Sequence, residues 1–244
     1  MSAYAISVKS ELLFAGPARK QHAKLGIVLQ DRIAEVEERL LDACQRAGRR
    51  REEVCLLAVT KVFPADAILE AYALGLRDFG ENYVQEFEGK FPAVAHLTDA
   101  RFHLIGHLQS NKARKASELF GVIHTIDSAK LAGRMVGDKD VLIEVKLSEE
   151  EAKHGCAPED LGAVVDAIQA MPNLKLRGLM TVPPWDDDAE KARPYFKRLR
   201  DLAATYKLPD LSMGMSNDLE VAIEEGSTIV RVGTALFGKR QKPQ

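Results

Sequence analysis

The stretch VCLLAVTK, Val54 to Lys61, reads as seven residues of buried strand with an amine at its end. A lysine at a partly buried strand end can have its pKa lowered by desolvation, and the neutral amine then condenses with a carbonyl to give a Schiff base. Its compact charge makes it more tunable than a guanidinium. The plainer reading is that the Lys61 side chain reaches water along its own stem or pairs with a neighbouring carboxylate. Near the other end of the chain, TIVRVGTALFG places Gly233-Thr234 between a strand and a short helix. Free backbone N–H groups and the helix dipole favour an anion at such a place. Just upstream, LSMGMSND offers the hydroxyls of Ser212 and Ser216, and Gly214 for close backbone approach. A reactive lysine together with a phosphate-binding loop points to pyridoxal 5′-phosphate above other cofactors. Each feature also has a structural alternative. Ser216 or Asn217 can cap the helix DLEVAIEEG, with Glu220 closing a capping box on Asn217, and Gly233 can be only a turn glycine.

These residues need elements to bring them together, and the chain supplies a rhythm. Residues 1–24 show no sustained periodicity, contain Gly16-Pro17 and are expected to form a mobile extension. Leu29, Ile33, Val36, Leu40 and Cys44 then fall at helical spacing, with Gly48 as a stop. From Val54 onward strand-like and helix-like segments alternate about eight times: VCLLAVT, LRDFG, RFHLIG, GVIHTID, DVLIEVKL, LKLRGLMTV, LSMGM and TIVRVG are the strands. Strict alternation implies parallel strands with right-handed crossovers. The expected fold is therefore a single α/β domain over residues 25–244, a (β/α)₈ TIM barrel at the small end of its size range. The rival is a doubly wound open sheet, which usually has fewer strands, and no G-x-G-x-x-G follows the first strand here. In a barrel the strands' C-terminal ends carry the site, the loops after strands seven and eight bind phosphate, and strand eight closes beside strand one. Lys61 and Gly233-Thr234 would then share one mouth. The barrel uses the whole chain, so no second catalytic domain fits beside it.

Composition narrows the classes. With 34 basic against 36 acidic residues, net -2, no nucleic-acid footprint is expected. No apolar run reaches the roughly 18–20 residues that span a bilayer, and ELLF is too short for a signal-peptide core. Cys44, Cys55 and Cys156 are odd in number, widely spaced and without C-x-x-C, which argues against a disulfide framework or zinc site and for a cytoplasmic location. His103 and His107 are four apart, but they flank a strand running into a glycine turn and would not share one face as zinc ligands do on a helix. His124 and His154 read as lone histidines. Trp185, after Pro183-Pro184, is either a lid over the mouth or an ordinarily packed loop aromatic.

The blocks LLAVTKVFPADAI, FGENYVQE, FHLIGHLQSNK, HTIDS, KHG, RGLMTVPP, LSMGMSNDLEVAI and GSTIVRVGTALFG, in order from about Asp31 to Gly238, resemble the YggS/PROSC family of pyridoxal phosphate-binding proteins. The resemblance implies a barrel like the N-terminal domain of alanine racemase. It implies Lys61 as the lysine that forms the internal aldimine, Ser212 and Ser216 in the phosphate-contacting loop, and Gly233 and Thr234 as further phosphate contacts. Arg231 matches the arginine facing the pyridine nitrogen, and Asn82 matches a residue near the cofactor. Asn82 has a structural alternative as a helix cap with Gln85. Val62-Phe63 after the lysine and Cys156 after KHG depart from the usual pattern.

The function implied is a role in pyridoxal phosphate homeostasis, with apo-enzymes that use the cofactor as candidate recipients, in a monomer that is not an enzyme. Guanidinium has only donors, so Arg231 leaves the ring nitrogen unprotonated and the ring a weaker electron sink. An amino-acid racemase is the alternative, with Tyr83 as the tyrosine nearest the mouth. A Schiff-base aldolase with a sugar-phosphate substrate is a third possibility.

Overall fold

The structure, a computed structural model, describes residues 17–148 and 154–238. Eight parallel strands close into a barrel in the order β1-β2-β3-β4-β5-β6-β7-β8. They are β1 Cys55–Val59, β2 Asp78–Glu81, β3 Arg101–Leu104, β4 Val122–Ile126, β5 Lys139–Glu144, β6 Leu174–Met180, β7 Asp210–Met215 and β8 Ile229–Val232. β1 pairs with β8 in the register Leu57↔Arg231 and Ala58↔Val232. The closure that the alternating pattern demands is thus made, and the doubly wound sheet is excluded.

The helices are α1 Pro17–Arg46, α2 Ala65–Ala73, α3 Val84–Val94, α4 Ala113–Leu119, α5 Ala129–Ala132, α6 Leu161–Gln169, α7 Arg193–Thr205, α8 Leu219–Glu224 and α9 Thr234–Phe237. α1 begins at Pro17, so residues 17–24, read from sequence as part of an extension, lie in its first turns. Proline suits that place because the first helical N–H has no partner to lose. Residues 1–16 lie outside the described residues. Leu29, Val36, Leu40, Ala43 and Cys44 form the buried face of α1. Its polar side reaches α8 and α9, where Arg39 bridges Glu220 at 2.6 Å and donates to the Ser216 carbonyl at 2.9 Å. The leading helix therefore braces the loop after β7.

Most apolar burial lies between strands and helices. Phe87 of α3 sits with its ring centroid 4.8 Å from both Phe102 and Phe120. Inside the barrel the apolar layer is small: Leu57, Leu142 and Ile229, with Cys55, Ile105 and Val122 against them. Strand alternation places the next inward residues one layer on, and there the interior becomes polar, with His103, His124, Ser212 and Arg231 all buried. Barrel interiors are ordinarily filled by branched apolar side chains, so this polar layer needs a reason. No helix among the described residues is long and apolar enough to cross a membrane.

Candidate functional site

A cavity of about 670 Å³ opens at the C-terminal ends of the strands. Its lining includes Lys61, Asn82, Ser216, Arg231, Gly233 and Thr234. Residues from the ends of β1, β2, β7 and β8 thus meet at one place, as the sequence reading required.

Lys61 follows β1 and is half-buried. The turn after it is unusual: Val62 has φ 65, a left-handed conformation that a β-branched residue avoids. Such strain persists only where surroundings over-determine it. Here Val62 N–H donates to Glu86 Oε1 at 2.6 Å. Glu86 in turn pairs with Lys90 at 2.6 Å, and Lys90 pairs with buried Glu81 at 2.9 Å. Lys90 Nζ also donates to the Thr60 carbonyl at 3.0 Å, and Thr60 Oγ1 donates to Glu81 at 2.8 Å. This carboxylate–ammonium cluster clamps residues 60–62 and so fixes where Lys61 starts. Sequence reading passed over Lys90. Its i,i+4 spacing from Glu86 was a visible signal, but its burial was not.

Asn82 does not cap a helix with Gln85: α3 starts from Tyr83 with no side-chain cap. Instead Asn82 Oδ1 is buried with no hydrogen-bond partner among the described residues. Gly106 allows its backbone approach, since a Cβ there would lie 2.2 Å from the Asn82 carbonyl oxygen. A buried orphan acceptor costs roughly 1–3 kcal/mol and at a cavity wall is poised for a donor from a ligand.

Arg231 is buried. Its Nη1 donates to the Ser212 carbonyl at 2.6 Å and to Ser212 Oγ at 2.8 Å, and its Nη2 to the Thr181 carbonyl at 2.9 Å. These bonds hold one side of the planar fork; two of its five N–H donors have no hydrogen bond among the described residues. Burial pushes its pKa down to about 10, opposed by the more distant charges of Asp218 and Glu144, which leaves the group charged at neutral pH.

Ser212 departs from expectation. It is fully buried behind Arg231, is bonded to Arg231 and to His124 Nδ1 at 2.9 Å, and does not line the cavity. Its short side chain points into the barrel and ends behind Arg231, short of the mouth. Ser216 does face it, and its Oγ accepts from Ala235 N–H at 3.3 Å. The capping box between Asn217 and Glu220 is not formed: Asn217 donates to the Asp186 carbonyl at 3.1 Å and Glu220 is held by Arg39. The turn is tied by Asp218, whose Oδ1 accepts from Met215 N–H at 2.6 Å. At the start of α9, the N–H groups of Gly233 and Thr234 face no acceptor among the described residues, while those of Leu236 and Phe237 return to the Gly233 carbonyl.

Trp185 is 73% exposed and borders the cavity, held nearby by the Asn217–Asp186 bond. Tyr83 is exposed and is not part of the lining. The histidines read as lone residues are paired. His107 stacks on His154 with centroids 3.6 Å apart, and His103 bonds His124 inside the barrel. Glu144, at the end of β5, lines a smaller adjoining cavity with Asn82, and burial pushes its carboxyl up to about 7.

The family described as alanine racemase, N-terminal domain, matches residues 34–241. A pyridoxal phosphate homeostasis protein of Pseudomonas aeruginosa is 48% identical over 223 residues, covering 87% of this chain and 96% of its own. One of Aquifex aeolicus is 44% identical, covering 86% and 98%. The structure of PipY from Synechococcus elongatus with PLP bound superposes with TM-score 0.74 at 38% identity, over 86% of this chain and 100% of its own.

Proposed function

Because this chain belongs to the family of pyridoxal phosphate homeostasis proteins, which carry the alanine racemase N-terminal domain fold, we propose that it binds pyridoxal 5′-phosphate in the C-terminal mouth of its barrel. The observation that carries this is the convergence on one cavity of an amine with, among the described residues, a half-satisfied guanidinium, an orphan amide oxygen and two backbone N–H groups that meet no acceptor. The donors fit a phosphorylated pyridine aldehyde. The N–H groups of Gly233 and Thr234, with the Ser216 hydroxyl, hold the phosphate. The free edge of Arg231 donates to the ring nitrogen. Lys61 Nζ condenses with the aldehyde, losing water, to form a Schiff base. When bound, the cofactor supplies that aldehyde and an electron-withdrawing ring.

The same residues favour holding over turnover. Arg231 donates without giving up a proton, so the ring stays a weak electron sink. A racemase needs a second acid–base group on the opposite face of the cofactor, and Tyr83 lies away from the lining. The role that follows is buffering the cofactor and delivering it to apo-enzymes, by a monomer in the cytoplasm. A coupled assay of D- and L-alanine interconversion tests the enzyme question. Turnover on the order of 1–10³ per second that vanishes in Tyr83→Phe would replace this reading with a racemase.

Borohydride reduction followed by peptide mapping tests the attachment. The reduced adduct is expected on Lys61 and is lost, with the Schiff-base absorbance, in Lys61→Ala. An adduct found mainly on another lysine of the wild-type protein would refute the assignment.

A further inference from the structure

The polar layer inside the barrel forms one continuous chain. Arg231 Nη1 meets Ser212 Oγ at 2.8 Å, Ser212 Oγ meets His124 Nδ1 at 2.9 Å, His124 Nε2 meets His103 Nδ1 at 2.9 Å, and His103 Nε2 meets Asp78 Oδ1 at 3.0 Å. Ser212 and His124 are completely buried and His103 almost so. The chain crosses the barrel, because Arg231 lines the C-terminal cavity while His103 and Asp78 line a second cavity at the N-terminal end. From Proposed function only the orientation of Arg231 toward a ligand is taken over.

The chain has a direction. A guanidinium can only donate and an ionised carboxylate can only accept, while a hydroxyl donates once and accepts up to twice and a neutral imidazole donates once and accepts once. With both imidazoles neutral, all four bonds form together in one way only. Arg231 donates to Ser212, Ser212 donates to His124 Nδ1, His124 Nε2–H donates to His103 Nδ1, and His103 Nε2–H donates to Asp78. Moving the His103 proton to Nδ1 would set a lone pair against the Asp78 carboxylate. Placing a proton on both nitrogens of His103 would reverse the middle bonds. Ser212 Oγ would then accept from two sides, and its own proton would have no acceptor among its contacts. Arg101 also pairs with Asp78 at 2.7 Å, adding to the His103 bond in lowering that carboxylate's pKa against burial. Burial lowers the pKa of both imidazoles; at His103 the Asp78 hydrogen bond and charge oppose it without overcoming it, while at His124 the neighbouring His103 and Arg231 add to it.

We propose that Asp78, His103 and His124 are positioning residues that act through Ser212 on Arg231, as a one-way hydrogen-bonded relay locking the guanidinium in its ligand-facing orientation. Among the described residues Arg231 has no carboxylate in hydrogen-bond contact; Asp78, at the far end of the relay, fixes the direction of its bonds. In a low-dielectric interior such chains polarise one another and strengthen together. This accounts for the choice of two histidines and a serine where a barrel would ordinarily pack branched apolar residues.

The first test needs no cofactor. In the apo-protein labelled with ¹⁵N-histidine, His103 and His124 should both carry their proton on Nε2 at neutral pH. A Nδ1-protonated or doubly protonated form of either would overturn the direction of the relay. The second test uses pyridoxal phosphate and the variants Asp78→Asn and Arg101→Gln. Asp78→Asn removes the charge that fixes the direction, so the His103 tautomer should become mixed. The pyridoxal phosphate dissociation constant should rise roughly 2- to 30-fold, the range for coupling through contiguous networks. Arg101→Gln breaks the same ion pair but spares the relay, and should leave tautomers and affinity as in the wild type. An unchanged affinity in Asp78→Asn, or an equal loss in both variants, would refute the positioning role. Should wild-type protein bind no pyridoxal phosphate, the reading of the site fails while the imidazole spectra still judge the relay.

Discussion

The two ends of the barrel enclose cavities of similar size, about 670 Å³ at the C-terminal mouth and about 630 Å³ at the N-terminal one. They differ in what their polar groups already hold. At the N-terminal end Arg101 is paired with Asp78, Arg177 with Asp210, and Arg49 with Glu53 and the carbonyls of Ile223 and Ser227. At the C-terminal end, among the described residues, Asn82 Oδ1 has no partner, Arg231 keeps two donors without a hydrogen bond, and the N–H groups of Gly233 and Thr234 meet no acceptor. The strained residue, Val62, is also there. Volume alone does not make a site. Groups left unsatisfied by the protein's own folding do, because their cost is recovered only when something binds.

The sharpest way to break this contrast uses two glycines. A Cβ at Gly178 would lie 1.9 Å from the Asp210 carbonyl oxygen near the N-terminal end, and one at Gly106 would lie 2.2 Å from the Asn82 carbonyl oxygen at the mouth. Both clashes are with backbone, so each alanine should destabilise by about 3 kcal/mol or more, read by urea unfolding. The difference should appear in binding under conditions where both variants stay folded. Gly106→Ala should lose pyridoxal phosphate affinity and Gly178→Ala should retain it. Equal retention would mean that Asn82 is not part of the site.

The carboxylates sharpen the comparison through pH. Glu144 near the mouth has its pKa raised to about 7, chiefly by burial, whereas Asp78 at the other end is lowered, its hydrogen bonds to His103 and Arg101 outweighing burial. A raised folded-state carboxyl has no effect at pH values where both states are protonated. As pH rises above the unfolded value it destabilises progressively, until the folded group has also ionised above about 7. Asp78 contributes in the opposite sense, and its stabilisation is lost as pH falls through its folded pKa. Glu144→Gln should therefore stabilise at pH 8 by on the order of 1–3 kcal/mol and have little effect near pH 4. A gain of the same size at both pH values would remove the ionisation argument.

At the phosphate-type loop, replacing Gly233 by leucine should weaken pyridoxal phosphate binding about tenfold, roughly 1.4 kcal/mol, and pyridoxal binding much less. Equal losses for the two ligands would deny the loop its selectivity. The smallest expected effect is at Val62. Val62→Gly relieves the left-handed valine and should stabilise by about 1 kcal/mol, read as a small rise in Tm. A drop in Tm would show that the Glu86 contact and side-chain packing outweigh the strain.

The order of strands was legible in the sequence because each β/α unit carries its own periodicity, and a parallel sheet of eight such units closes with β1 beside β8. The strand-end position of Lys61 and the glycine turn at Gly233-Thr234 follow from that order alone. So does their meeting at one mouth, since the C-terminal ends of neighbouring parallel strands are adjacent wherever the barrel closes. Ser212 shows where this reading stops. Its place in LSMGMS suggests a loop hydroxyl, but it lies within β7 and points into the barrel, a layer below the mouth and behind Arg231. The pairing of His103 with His124, 21 residues apart, and of His124 with Ser212, 88 residues apart, depends on strands β3, β4 and β7 facing a shared interior. The unsatisfied Asn82 oxygen is likewise a property of what packs around it. Local pattern determined which elements form and which residues stand at their ends; closure of the barrel decided which of those side chains face each other, because inward partners are set by register across strands and not by distance along the chain.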